Sequence, residues 1–424
     1  MSTDLFAPAT GSGTPLESER RVATGESSGL VGVGGASDSL FHMEPDWSKD
    51  WWGMPSFSMG DARPEYTVNV HFRNWDDVIA FSKATGLRLT QKSKSAWFPA
   101  KESNRGEFCY DGPKTDSAYP VCIPSKGRAD CQLTGNALER MGVSHLFFVE
   151  EKEYEWYCSN LGKERVVKMP FSDLGQGSIP ARNFIWDWAI ANGHRRHWCV
   201  DDNIRGFYRL DNNMGRRVFG GGFFNAIESF VDRYRNVALA GPHHTGFVRS
   251  DRPRLSPVLW NSRVYSCILI DSSLPYRWRG RMNEDTDLSL RVLKDGHCTV
   301  LFRALQMDKH ETTEAAAATP MKGGNTATVY ADDKHRKQFA ESLRANHPDC
   351  VQVVWKFNRW HHEVDYGRFA RNAPMLRCDI APTPTTDDFG MKLVRLSSGG
   401  GGAELVAKDS CDSPKSPNES IIMQ

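Results

Sequence analysis

No apolar run in this 424-residue chain approaches the ~20 residues needed to span a bilayer. The N-terminus lacks a basic segment followed by an apolar stretch, so a secretory signal is not expected either. None of the ten cysteines forms a C-x-x-C pair, which argues against a structural zinc site. Scattered thiols without an export signal point to a reducing, cytosol-like compartment. Excess charge is also missing. Lys and Arg number 53 against 52 Asp and Glu, a formal net charge of +1. Any nucleic-acid partner must therefore be met by local patches and not by the field of the whole chain. What is there is ordinary for a globular protein, with 39% hydrophobic and 25% charged residues. The length allows one large domain with extensions, or two domains.

Residues 1–46 are rich in Gly, Ser, Thr and Ala without a sustained apolar period, and residues 397–424 open on a Ser-Gly run and continue polar. Both read as disordered tails. Residues 47–113 read as a small α+β module. Within it, 66–72 alternates like a half-buried strand, and 76–84 has helical spacing stopped by Gly86. Residues 87–89 and 96–99 suggest further strands. The module is too short for an enzyme and suits a docking or capping role.

Residues 114–396 change to strands alternating with helices, which predicts an α/β domain around a mostly parallel sheet. Strands are expected at 121–123, 145–149 and 166–169, with a helix over 136–141 between the first two. Ser178-Ile179-Pro180 opens a further helix that Asn192-Gly193 closes. The fourth strand of this series ends in Asp201-Asp202-Asn203.

Two carboxylates and an amide at a strand exit are informative, because open α/β sheets bind ligands beyond the carboxyl ends of their strands. Paired acids repel unless a cation neutralises them, and Mg²⁺ or Mn²⁺ bridging to phosphates is the usual choice. Asp-Asp-Asn also suits a solvated turn. Other features fit the same kind of site. Pro124, Ser125, Lys126 and Arg128 follow the first strand with a hydroxyl, amides and two cations suited to a nucleoside diphosphate, and this turn has neither dinucleotide-binding nor P-loop spacing. Glu150 ends the second strand. Arg182, in Pro180-Ala181-Arg182-Asn183, stands at a helix start and could fork onto a phosphate. Glu284, Asp285 and Asp287 put three acids in four residues at another helix mouth, after Asn283 as a possible cap. Acids there also complement the helix dipole, but three exceed what capping requires. Spacing puts Glu284 and Asp287 on one face and turns Asp285 elsewhere, toward a cleft. His310, a neutral imidazole after an apolar segment, could complete a metal shell.

In this order, Pro124-Ser125, Ala181-Arg182-Asn183, Asp201-Asp202-Asn203, Glu284-Asp285 and His310 resemble the motifs of GT-A-fold, nucleotide-sugar-dependent glycosyltransferases of the family-2-like branch. Residues 119–370 are more narrowly similar to the TET-associated glycosyltransferases of phages and some eukaryotes. That likeness rests on Ile123 to Arg128, Asp201 to Ile204, Lys322-Gly323-Gly324-Asn325, Lys356 to Trp360 and Val364-Asp365-Tyr366. The resemblance implies a GT-A-like (Rossmann-like) sheet flanked by helices. It also implies transfer of a sugar to a 5-hydroxymethylpyrimidine in DNA, with hydroxymethylcytosine favoured over hydroxymethyluracil. Asn203 stands where many such enzymes have a final Asp, which moves the metal role to Asp202 and leaves Asp201 for ribose or metal-bound water.

On that reading Mn²⁺ or Mg²⁺ sits on Asp202 and His310. Pro124, Ser125, Lys126, Arg128, Glu150, Arg182 and Asp201 bind the donor, with UDP-glucose as the default. Asp285 is the general base of an inverting transfer, and Glu284 stands beside it. Two clusters that interleave cations with aromatics are candidates for holding DNA: Arg277, Trp278 and Arg279 with Arg281, and Phe357, Arg359 and Trp360 with His361 and His362. The Gly-rich stretches 219–223 and 241–246 read as mobile loops over the donor or acceptor. A location in the cytoplasm is expected, that of the host if the chain is phage-encoded. Oligomeric state is open. The competing readings are a transferase of the same fold acting on a protein or polysaccharide, and an inactive nucleic-acid-binding relative.

Overall fold

The structure is a computed structural model that describes residues 46–91, 93–99, 107–248, 255–280, 282–310, 333–383 and 385–396. Contacts divide the chain at residue 45, and all described residues fall in the second unit. Of the tail expected at 1–46 only Asp46 is described, opening a short 3-10 helix; the tail expected at 397–424, the 322–325 turn and Arg281 lie outside the described residues.

The predicted β-α-β series is present. β1 (Phe108–Asp111) is followed by β2 (Val121–Pro124), α2 (Leu133–Met141), β3 (His145–Glu150), α3 (Tyr154–Leu161), β4 (Val166–Met169), α4 (Ile179–Ala191) and β5 (Arg196–Val200); α1 (Trp75–Thr85) precedes them. β4, β3, β2 and β5 lie side by side and parallel. β5 is buried at every position, as expected of a strand covered on both faces. Beyond it the sheet becomes mixed. β10 (Cys267–Asp271) runs antiparallel to both β5 and β8 (Val237–His244), and β11 (Cys298–Lys309) is parallel to β8. β6 (Ile204–Asp211) is antiparallel to β11 and to β7 (Met214–Arg217), and β9 (Val258–Trp260) pairs with β11. Ten strands thus form one sheet. β2, β3, β5, β8 and β11 all end at the same edge.

Helices α5 (Gly222–Asp232) and α6 (Glu284–Lys294) complete the layers. A smaller unit follows: α7 (Asp333–Asn346) packs on the hairpin of β12 (Val351–Lys356) and β13 (Arg359–Val364). Leu290 and Leu293 of α6 share an apolar cluster with Leu343, Cys350, Val351 and Phe369, which fastens this unit to α6.

Several expectations give way. Residues 66–72 pair with no described strand, and Tyr66, Val68 and Val70 are exposed; 87–89 and 96–99 form no strands either. Alternation supplies a face, but a strand also needs a neighbour's hydrogen bonds. The segment 47–113 is not self-contained. Trp51 and Met54 are buried beside Phe230 and Phe302 in the main core, and β1 pairs with β14 (Lys392–Arg395). Neither Gly-rich stretch is a loop throughout: only 219–221 connects elements, and 241–246 does not. Gly222 opens α5, and a Cβ on Gly221 or Gly222 would overlap the carbonyl oxygens of Thr115 and Phe389. Residues 241–244 belong to β8, with Gly241 pressed on the Cys267 carbonyl. These glycines serve close approach of backbones. Eight cysteines among the described residues are free thiols. No helix among the described residues is long and apolar enough to cross a membrane.

Burial of His197 in β5 makes stability depend on pH. Desolvation chiefly, with the charges of His194 and Arg277, holds this imidazole down to about 3, and its Nδ1 lies 2.9 Å from the Ser272 hydroxyl. A folded-state value below the unfolded one means that the unfolded chain takes up the proton first on acidification. The fold should therefore lose stability as pH falls from ~6.5 toward 3, by up to ~1.4 kcal/mol per pH unit from this group. Urea midpoints measured across that range should flatten in His197→Asn; an unchanged slope in the variant would remove His197 as the cause.

Candidate active site

The carboxyl edge of the sheet holds a cavity of about 500 Å³. Its wall is assembled by strand ends that topology brings together. β2 delivers Pro124, Ser125, Lys126 and Arg128; β3 delivers Glu150; β5 delivers Asp201 and Asp202; β11 delivers Lys309. Arg182 comes from the first turn of α4, and Glu284 and Asp285 from the mouth of α6. Ten of the residues singled out from sequence meet here.

The Asp201-Asp202-Asn203 turn is fixed by its neighbours. Thr134 Oγ1 donates to the Asp201 carbonyl at 2.6 Å and accepts from the Ile204 amide at 2.9 Å, while the Asp201 amide donates to the Ser266 carbonyl at 2.7 Å. Turn and site readings are thus both satisfied by one piece of backbone. The two carboxylates have different surroundings. Asp201 takes Arg182 Nη2 at 2.8 Å on one oxygen and Lys309 Nζ at 2.6 Å on the other. Burial opposes its charge, but Lys309 and Arg182 outweigh that and hold it down to about 2. Asp202 is paired with Arg128 and accepts from Ser125 Oγ at 2.9 Å, yet burial still pushes its pKa upward, helped by the charge of Asp201. Neighbouring acids are thereby driven apart in proton affinity.

Arg182 is the hub. It is buried, stacks over Trp278 at 4.7 Å, and lies 3.4 Å from Glu284 Oε1. Its Nε and Nη1 protons find no hydrogen-bond acceptor within the described structure, an expensive state that an anionic ligand would relieve. Lys126 bridges Glu150 and Asp173, each at 2.8 Å.

At the opposite wall Asn283 adopts a left-handed φ of +61° just before α6, and its side chain makes no cap bond, so the expected Asn cap is not formed. The amide instead donates toward the Phe339 carbonyl of α7 at 3.4 Å. Asp285 accepts from the Thr286 amide at 2.7 Å and faces Arg263 Nε at 4.0 Å. Glu284 accepts from Ser178 Oγ at 3.2 Å; burial chiefly, then Asp285, raises its pKa against the pull of Arg182. Asp287 does not act with Glu284 as spacing suggested. It is buried in a cluster with Arg279, Arg291 and His347, which overcome the cost of burial and hold it down to about 2.

Other predicted residues lie elsewhere. His310 is tied through its backbone to Asn203, its amide donating at 2.8 Å and its carbonyl accepting from Nδ2 at 2.9 Å, and it is not part of the cavity wall. Trp278 is a buried platform for Arg182 and offers no face to a base. Arg277 pairs with Asp187 at 2.7 Å, and Arg279 grips Asp287 with both arms of its fork. Arg359 and Trp360 are on the β12–β13 hairpin, outside the cavity wall. Conversely, Lys309, Arg263, Ser266 and Asp173 line the cavity without having been singled out. For Lys309 a signal existed, a cation ending a long apolar strand beside His310. Arg263 lies between β9 and β10 and carries none.

The lining suits a divalent ion in one respect and not in another. Among the described residues no group of three or more His, Cys, Asp or Glu gathers to hold a metal. Mg²⁺ sites, however, need only about one or two carboxylates when substrate phosphates supply other ligands. An ionised carboxylate has roughly four lone-pair sites, and each oxygen of Asp202 engages a single donor in the contacts described. Six carboxylates and five basic side chains line the cavity, leaving no spare positive charge for a diphosphate. Hard oxygen donors and this deficit fit a hard divalent cation entering with its substrate.

A search of curated proteins finds no match to this chain. The sequence profile of the TET-associated glycosyltransferases does match, over residues 119–318. That span is a little under half of the chain and contains every residue lining the cavity. Over these residues, which hold the whole cavity wall, the chain is similar to the TET-associated glycosyltransferases.

Proposed function

We propose that this protein transfers a hexose from a nucleotide-sugar, UDP-glucose by default, to the hydroxymethyl oxygen of a 5-hydroxymethylpyrimidine in DNA, with hydroxymethylcytosine as the favoured acceptor. The observation that carries the reading is the convergence of ten sequence-predicted residues on one cavity inside the family-matched segment. In the transfer, the bond between the anomeric carbon and the diphosphate oxygen breaks while one forms to the acceptor oxygen. The acceptor proton goes to Asp285. A single displacement of this kind inverts the anomeric centre.

Each side of the cavity has chemistry suited to its part. The Ser125 to Arg128 turn, with Glu150 and Lys126 joined across it, takes the nucleoside end. Arg182, with two unsatisfied buried donors, hydrogen-bonds the diphosphate and stabilises the charge that develops on departure. Lys309 holds Asp201 ionised beside it. A divalent cation on Asp202, when bound, supplies Lewis-acid stabilisation of the leaving diphosphate. Asp285 stands on the other wall, where Arg263 is the nearest cation and Thr286 fixes one carboxylate oxygen. That leaves the other oxygen for the acceptor hydroxyl.

The test is direct. Purified protein is incubated with radiolabelled UDP-glucose, Mn²⁺ and DNA carrying hydroxymethylcytosine, hydroxymethyluracil or unmodified cytosine, with a protein mixture as an alternative acceptor. Nucleosides are then analysed by mass spectrometry. Label on hydroxymethylated nucleosides, heavier by one hexose residue, is the expected result. Label on protein alone, or none anywhere with every common nucleotide-sugar, would refute the reading.

A further inference from the structure

The β12–β13 hairpin ends in a two-residue turn that its sequence does not favour. Phe357 and Asn358 both have positive φ, 54° and 58°, as a type I′ turn requires. Asn-Gly or Asp-Gly pairs relieve the steric cost of that turn, whereas a bulky residue at positive φ is a genuine outlier. Phe357 is also 85% exposed. An aromatic ring kept in a strained backbone position and in water serves neither the turn nor the core, and such strain points to function.

Its surroundings indicate what it meets. Lys356 and Arg359 flank the turn as cross-strand partners, and both are exposed. Trp355 and Trp360 stack edge-on beneath it at 5.2 Å, and Lys337 of α7 lies over Trp360 at 4.9 Å. Cations around stacked aromatics match a polyanion with planar bases. At its other end the hairpin packs on the helix that bears Asp285, through Val364 of β13 and Tyr366. His362, on β13, feels the charges of Arg263 and Asp285, as does Tyr366 just beyond. From Phe357 to His362 is five residues of extended chain, or ~16 Å, the same order as the ~12 Å width and ~8.5 Å depth of the duplex major groove. The hairpin is held by α7 and by the apolar cluster shared with α6, the helix that bears Asp285.

We propose that Phe357 is a wedge that enters duplex DNA and fills the gap left by the hydroxymethylated base as that base is extruded toward Asp285. This rests on the DNA-acceptor reading above and deepens it, because a base held in a stack cannot carry its hydroxymethyl group down into a cleft walled by strand ends. Architectural DNA-binding proteins use apolar wedges between base steps in the same way. Arg359 grips a flanking phosphate, Lys356 and Lys337 exchange their exposed partners Glu363 and Glu341 for others, and the base crosses the span of β13.

The experiment uses the full chain, UDP-glucose and Mn²⁺ with oligonucleotides carrying one hydroxymethylcytosine, single-stranded or in a duplex. Phe357→Asn suits the turn better than the native residue, so it should melt no lower than the parent. The expected result is a loss of about tenfold or more in kcat/KM on duplex with single-strand transfer unchanged, and restoration of duplex transfer in Phe357→Trp. In parallel, 2-aminopurine beside the target should brighten when the parent binds duplex and stay dim with Phe357→Asn. Equal losses on both acceptors, or no loss on duplex, overturn the wedge. If the parent hydrolyses UDP-glucose yet modifies neither form of DNA, the acceptor reading itself has failed and the wedge with it.

Discussion

Asp285→Asn should transfer sugar at least roughly a hundredfold more slowly than the parent protein, the lower end of the ~10²–10⁴ that a general base contributes. Folding should be little affected. Asn retains the oxygen that accepts from the Thr286 amide at 2.7 Å, and the variant loses only the charge facing Arg263 at 4.0 Å. The amide cannot take the acceptor proton. Binding of UDP-glucose, measured by calorimetry, should therefore stay close to normal while turnover falls. Glu284→Gln is the necessary comparison. Glu284 faces Arg182 and Ser178 on the donor side, so its loss should weaken donor binding more than it slows the chemical step. Near-normal turnover in Asp285→Asn with a collapse in Glu284→Gln would move the base by one residue. Near-normal turnover in both would leave these acids as helix-dipole partners only.

Removing divalent metal should cost at least about a hundredfold in transfer rate, since Lewis-acid stabilisation at a leaving group is worth several kcal/mol. The charge count of the cavity supports this, because each basic group of its wall already has an acidic neighbour. Excess EDTA should abolish label transfer, and Mn²⁺ or Mg²⁺ should restore it. Full activity in EDTA would mean that Arg182, Lys126 and Lys309 neutralise the diphosphate unaided. The matching substitution needs care. Asp202→Ala removes the carboxylate paired with the buried Arg128 guanidinium, and breaking a buried pair from one side costs about 3–5 kcal/mol. Asp202→Asn keeps an oxygen for Arg128 or Ser125 and is the better variant. It should fold, transfer poorly, and need more Mn²⁺ for what activity remains.

The carboxyl edge of the parallel strands was legible because the information is local. Val121 to Pro124, His145 to Val149 and Trp198 to Val200 are short, largely apolar runs followed at once by polar residues, and strands of one direction bring such ends together. For the same reason Arg182 and Asp285, each at a helix start, could be named in advance. Failures arose where a residue's role depends on what lies across from it. Trp278 and Arg279 look like a DNA-binding pair in sequence; one is buried under Arg182 and the other is bound to Asp287. His310 has the right type and order, but it bonds through its backbone to Asn203 and is not in the cavity wall.

By itself the sequence determined the α/β class, the order of the first four parallel strands and the acids and bases at their exits, since periodicity and chain direction are properties of neighbours along the chain. Only the tertiary structure decided that Asp201 and Asp202 are held by different cations, that Lys309 and Arg263 join the cavity, and that the 66–72 segment finds no strand partner. It also set a hairpin from beyond residue 350 against the helix of Asp285. Ion pairs, burial and sheet pairing act between residues far apart in sequence, and their energies depend on distances that no local pattern encodes.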